Sequence, residues 1–226
     1  MGMKGKIALG AVAGFVVIGV VSANAGSDGK DGGGKDTSAT ADRKSGGGKS
    51  AGGAKAAEKK KAAFDGDGEF TVGSDVKPGT YRTTGNTDDM CYWERDKDAS
   101  GEMDSTLAND NVSGASYVTI KATDKLFKST GCKDWETVDP KAKGTPASSM
   151  AGNGGMFKVG TDIAPGTYKS TGNADDSCYW ERTKDAEHGL DSIIANNNVT
   201  GNAVVTIRST DAYFKTTGCG NWKKTA

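Results

Sequence analysis

The chain has 226 residues, 29 basic against 29 acidic side chains, 34 glycines and a 35% hydrophobic share. Glycine stands at about twice its ordinary share of about 7%, and the hydrophobic share is low for a globular chain, which excludes one large uniform core. Zero net charge gives no basic patch of the kind that marks nucleic-acid binders, so no nucleic acid is expected as a partner.

Residues 1–25 read as a secretory signal peptide. Lys4 and Lys6 precede an uncharged apolar run from Ile7 to Val21, and Ala23-Asn24-Ala25 supplies a cleavage site before Gly26. The run is shorter than the roughly 20 residues a spanning helix needs, and no cysteine lies near the site for lipid attachment. The expected location is therefore secreted or cell-surface associated; the alternative is a membrane anchor formed by uncleaved residues 7–21.

Residues 26–69 read as a disordered Gly/Lys/Asp/Ala-rich linker, with Gly32–Gly34 and Gly46–Gly48 and nearly balanced charge. Such a chain cannot bury enough apolar surface to offset its ordering entropy. Half of the glycines (17 of 34) lie before Phe70, whereas 14 of the 16 aromatic residues lie in Phe70–Val138 and Phe157–Ala226. Folded material is expected to begin near Phe70.

The strongest signal is a duplication. Shifted by 87 positions, Phe70–Val138 falls on Phe157–Thr225 without gaps, with 39 of 69 residues identical. Val72–Tyr81 matches Val159–Tyr168, Cys91–Arg95 matches Cys178–Arg182, and Thr130–Trp135 matches Thr217–Trp222. The period exceeds a solenoid unit, so each copy (70–138 and 157–226) is expected to be one small domain. Between them, residues 139–156 carry Pro140, Pro146 and Gly152-Asn153-Gly154-Gly155, the composition of a flexible spacer.

Each copy reads as all-β. Short runs rich in Val, Ile, Thr, Tyr and Trp alternate with turn signals, and no 3.6-residue period persists. In copy 1 the expected strands are Phe70–Val72, Thr80–Thr83, Cys91–Arg95, Met103–Ala108, Tyr117–Ala122 and Leu126–Lys128. Pro78-Gly79 fits a turn. In the third strand, Cys91, Trp93 and Arg95 should share one face and Tyr92 and Glu94 the other. The expected fold is two tandem disulfide-stapled β-sandwich or barrel domains after the linker.

Each copy holds two cysteines, Cys91 with Cys132 and Cys178 with Cys219. In an oxidising compartment disulfides persist, and pairing within each copy lets each fold alone. A domain of about 70 residues is marginal on its core, and closing such a loop contributes about 4 kcal/mol in the chain-entropy model. No CxxC is present, so neither a zinc site nor a redox pair is expected.

Few residues suggest chemistry. His188 is the single histidine, and its counterpart in copy 1 is Gly101; it reads as an exposed turn residue, with no GxSxG elbow to serve. Asp88-Asp89 and Asp175-Asp176, with Asp104, Asn109, Asp110, Asp191 and Asn196–Asn198, could supply oxygens to calcium, but no EF-hand loop is present, and Asp and Asn are ordinary turn residues. No cofactor, metal or catalytic residue is assigned. The sequons Asn111-Val112-Ser113 and Asn198-Val199-Thr200 read as polar turns. The candidate binding residues are Tyr92, Glu94, Arg95, Tyr179, Glu181 and Arg182: an outward Tyr beside a carboxylate suits a sugar or peptide, and the Arg fork suits an acidic group.

At these motifs the chain resembles small secreted or surface-tethered actinobacterial proteins whose repeats run V-G-x-D-I-x-P-G-T-Y, C-Y-W-x-R, I-I-A-N-N and G-C-x-x-W. Here those are Val72–Tyr81, Cys91–Arg95 and Gly131–Trp135, and in copy 2 also Ile193–Asn197 and Gly218–Trp222. Copy 1 departs at Thr106-Leu107-Ala108-Asn109-Asp110. The resemblance implies a bacterial extracellular protein and brings no catalytic residues. The expected function is a monomeric, non-enzymatic binding module at the cell envelope or outside it, with cell-wall glycan or a surface protein as partner. The alternatives are structural spacer modules or a metal-dependent hydrolase.

Overall fold

The computed structural model describes residues 62–225; the signal reading and the linker reading up to residue 61 lie outside them, while residues 62–69, read as linker, are ordered and include the buried Phe64 and the start of the first strand. Copy 1 contributes strands β1 (Gly68–Thr71), β2 (Gly79–Asp96), β3 (Thr106–Ile120), β4 (Leu126–Thr130) and β5 (Glu136–Thr137). Copy 2 follows with β6 (Ser149–Met150), β7 (Gly155–Lys158), β8 (Gly166–Thr183), β9 (Ile193–Ile207), β10 (Tyr213–Thr217) and β11 (Trp222–Lys224). Two 3-10 turns, Met103–Ser105 and Leu190–Ser192, lead into β3 and β9.

The all-β class holds, but the strands are fewer and longer than local patterning predicts. Thr80–Thr83 and Cys91–Arg95 are two ends of the 18-residue β2, and Tyr117 lies in the same 15-residue strand as Thr106. The turn signals inside them become register shifts between Thr83 and Asn86, and between Asn86 and Cys91, because a bulge absorbs extra residues while the strand continues. The sequon asparagines are likewise in strands, Asn111 opposite Tyr92 and Asn198 opposite Tyr179, not in turns.

Each core lies under the Cys/Trp face of the long hairpin. Cys91, Trp93, Val118, Ile120, Phe127 and Trp135 are buried in copy 1, and Cys178, Val205, Ile207, Phe214 and Trp222 in copy 2. The disulfides are Cys91–Cys132 and Cys178–Cys219, each tying the long strand to the loop after β4 or β10. Copy 1 begins earlier than Phe70: Phe64 is buried between Phe70, Tyr81, Phe127 and Trp135, with ring centroids 4.8–6.1 Å away. Each well-placed ring pair adds about 0.5–1.5 kcal/mol beyond its buried area.

The two copies are not independent modules on a flexible tether. One hydrogen-bonded path runs β1-β4-β2-β3-β7-β10-β8-β11-β6, with β5 on β2 and β9 on β8, and it passes between copies where Ala115 meets Gly155. Residues 139–156 supply β6 and the start of β7, and Met150 enters the copy 2 core. The glycines here permit close approach: a Cβ on Gly155 would collide with the carbonyl of Ala115, and one on Gly114 with that of Gly154. Met156 then lies buried with Tyr117, Ala186 and Tyr213. Composition alone cannot distinguish glycine used for such contact from glycine used for flexibility.

Candidate functional site

The long hairpins place the candidate residues. Tyr92 and Glu94 are two apart on β2, hence on one face, opposite the buried Cys91, Trp93 and Arg95. Glu94 stands between Asn109 on β3 and Lys128 on β4. Copy 2 repeats the row: Glu181 stands between Asn196 and Lys215. In both copies the tyrosine hydroxyl donates to the carboxylate at 2.6 Å, Tyr92 to Glu94 and Tyr179 to Glu181. Burial, then the neighbouring carboxylate, pushes each phenol up to about 12. Burial alone would raise the Glu94 pKa, but the Tyr92 hydroxyl and Lys128 hold it below its ordinary value, so Glu94 stays ionised.

Each row borders a cleft. The first, about 270 Å³, is lined by Tyr92, Glu94, Asp96, Glu102, Met103 and Lys128. The second, about 180 Å³, is lined by Tyr179, Glu181, Asp185, His188 and Lys215. Asn109 borders both, so they are neighbours. They differ in how the lysine is neutralised. Lys128 binds Glu94 and Asp96, both at 2.9 Å. Copy 2 has Thr183 in place of Asp96, and Lys215 turns to Asp110 of copy 1 at 2.6 Å. An exposed apolar tip stands on each 3-10 turn: Met103 is 95% and Leu190 91% exposed.

Tyr92, Glu94, Tyr179 and Glu181 are therefore brought together as two equivalent pairs. Arg95 and Arg182 are not beside them. Arg95 grips Asp124 through Nε at 2.7 Å and Nη2 at 3.0 Å, and Arg182 grips Asp211 at 2.6 and 2.8 Å. The fork expected to hold an acidic partner is spent inside each copy, because its position on β2 or β8 shares the buried face with Trp.

His188 is also misread from sequence. It is half-buried, its ring lies edge-on to Trp93 at 4.7 Å, and Nε2 lies 2.7 Å from the Tyr117 carbonyl oxygen. Burial pushes its pKa down, with Asp110 opposing. It holds φ = 58° where copy 1 has Gly101 at 71°. A side chain in that conformation is uncommon, and a histidine standing where the other copy has glycine is the one signal that the position has a contact to make. No sequence signal marks Lys128, Lys215 and Asn109 as cleft residues, since cross-strand neighbours are set by pairing register.

The carboxylate side chains of Asp88, Asp89, Asp175 and Asp176, on which the calcium reading turned, lie outside the described residues. Asp104 and Asp191 pair with Lys97 and Lys184 at exposed positions. Among the described residues, no group of three or more His, Cys, Asp or Glu is gathered as a metal site, and no helix is long and apolar enough to cross a membrane.

Fold and clefts define an all-β, disulfide-stapled protein made of two fused copies of one unit. The family model of the Rv1352-like extracellular domain matches residues 62–136 and 148–223, and the chain belongs to this family of extracellular domains. The first match begins at 62, in keeping with the structural role of Phe64. Among curated proteins, the chain is similar to uncharacterized protein Rv1352 of Mycobacterium tuberculosis and to uncharacterized protein Mb1387 of Mycobacterium bovis. Each is 31% identical over 100 residues, spanning 39% of this chain and 80% of the relative. No solved structure matches it significantly.

Proposed function

We propose that the protein is a non-catalytic binding module of the cell envelope or its exterior, and that the paired Tyr–Glu–Lys clefts hold a hydroxyl-rich ligand, an envelope glycan. The observation that carries this reading is the repetition of the same hydroxyl–carboxylate contact, with the same flanking lysine and asparagine, in two neighbouring clefts. Phenol edge, carboxylate, ammonium and amide offer donors and acceptors without a nucleophile–base pair; an ionised Glu94 is a poor general acid. Both clefts are smaller than the roughly 300–1,000 Å³ typical of sites that enclose a whole small molecule, which favours single units of a repetitive chain. Because the copies are fused, two units can be engaged without a linker penalty.

The test is binding of the purified protein to isolated envelope polymer and to glycan arrays, beside a Tyr92→Ala/Tyr179→Ala variant. Binding by the wild type and its loss in the double variant is the expected result. Absence of binding by the wild type, or full binding by the variant, overturns the reading and leaves the modules structural.

A further inference from the structure

The contact between copies is head-to-tail: one face of copy 1 receives a different face of copy 2. On the accepting face, the Thr119 amide donates to the Ala186 carbonyl at 2.7 Å and the Ala115 amide to that of Gly154 at 2.9 Å. Arg95 Nη1 donates to the Glu187 carbonyl at 2.7 Å, Tyr117 to Asp162 at 2.6 Å, and Trp93 meets His188. The same strand segments recur in copy 2, where they are open among the described residues. A Cβ placed on Gly201, the counterpart of Gly114, would have no neighbour within 4 Å. Val204 replaces Tyr117 and is 62% exposed, whereas Tyr117 is 2% exposed. Asn202 and Thr206 are exposed, and Arg182 Nη1 has no partner among the described residues.

Among the described residues, the opposite face is open on copy 1. Met156 and Ala186 are buried in the contact, while their counterparts Glu69 and Ala99 are exposed. Asp75, counterpart of Asp162, is exposed as well. The two open faces have opposite charge. Lys169 replaces Arg82 on the accepting end, with Lys223 paired beside it on β11; the donating end of copy 1 presents Glu69, Asp75 and Asp67.

We propose that the accepting face of copy 2, built around Gly201, Val204, Lys169 and Arg182, docks the donating face of copy 1 of a second molecule of this chain. The occupant follows from the internal contact, which shows what such a face receives, and from the charge complementarity of the two ends. Heterologous contacts of this kind extend as open chains when the rotation does not close. The trans contact is weaker than the internal one. Copy 1 carries Asp67 where copy 2 carries Gly154, and Glu69 where copy 2 carries Met156, which replaces apolar burial with ion pairing.

The test is sedimentation velocity of the purified protein across a concentration series. Mass should rise with concentration, and the association should weaken at about 1 M salt, where the screening length falls to about 3 Å. Lys169→Glu/Val204→Asp disables one end and Glu69→Ser, which leaves no charge to complement the first variant, the other. All three positions are exposed, and unchanged denaturant midpoints verify the fold. Each variant alone should stay monomeric, while their mixture should form 1:1 dimers through the intact ends and nothing longer. A wild type that is monomeric throughout, a Lys169→Glu/Val204→Asp variant that still self-associates, or a mixture that stays monomeric each overturns the proposal.

Discussion

Lys215 of copy 2 donates to Asp110 of copy 1 at 2.6 Å, with both side chains largely buried. This ion pair closes one wall of the second cleft and spans the contact between copies. Removing one partner leaves an uncompensated charge in a poorly hydrated place. Asp110→Ala should lower stability by about 2 kcal/mol, the scale of a charge-assisted hydrogen bond, read as a lower urea midpoint. The corresponding Asn197→Ala, on the open face of copy 2, should be close to neutral.

Acid should loosen the contact between copies. The folded state holds His188 below its ordinary pKa chiefly through burial against Trp93, with Lys215 adding to the shift and Asp110, the Tyr117 carbonyl and Glu181 opposing it. A histidine depressed in this way binds its proton more readily when unfolded. Its stability contribution is therefore complete above about pH 6.5 and is lost as pH falls toward the depressed native value. Denaturant midpoints measured from about pH 7.5 down to about pH 5, the range in which histidine changes charge, check this. His188→Gly, which restores the residue of copy 1, should flatten the profile over that window.

The tyrosines should titrate late. Tyr92, Tyr179 and Tyr213 are pushed up to about 12, in each case chiefly by burial, and Tyr117 is raised further by burial and its bond to Asp162. In the native protein, phenolate absorbance should therefore develop well above the ordinary value of about 10. The unfolded chain ionises first, so stability present below about pH 10 is lost as pH rises. Glu94→Gln removes one raising contact and should bring the Tyr92 transition down.

The internal arginine pairs should matter more than any surface charge. Asp124 receives two Arg95 bonds and the Lys121 amide at 2.8 Å. Asp124→Ala should cost about 3–5 kcal/mol, as for a broken buried pair. Asp211→Ala should cost less, because Arg182 is more exposed than Arg95 and has no contact like that to Glu187. Paired chemical denaturation curves check the order.

Reduction should unfold the protein more readily than any of these changes. Each disulfide closes a loop of about 42 residues, worth about 4 kcal/mol in the chain-entropy model, on a unit with a small core. The Cys178→Ser/Cys219→Ser variant should show a lower denaturant midpoint by a matching amount, of order 2–5 kcal/mol. A nearly unchanged midpoint would show that the fused copy 1 holds copy 2 in place without the bond.

By itself the sequence determined the duplication, the all-β class, the cysteine pairing within each copy and the face-sharing of Tyr92 with Glu94, because these depend on local chemistry and period-2 alternation. It did not determine what lies across from those residues. Strand continuity through bulges placed Lys128, Lys215 and Asn109 beside the glutamates, and burial of the Cys/Trp face turned Arg95 and Arg182 inward onto Asp124 and Asp211. Glycines that composition marks as flexible are the ones that let two backbones meet at Gly114 and Gly155. Register, bulge position and close approach are long-range outcomes, decided only when the strands have paired; so the clefts, the fusion of the copies and the open faces they leave belong to the tertiary structure.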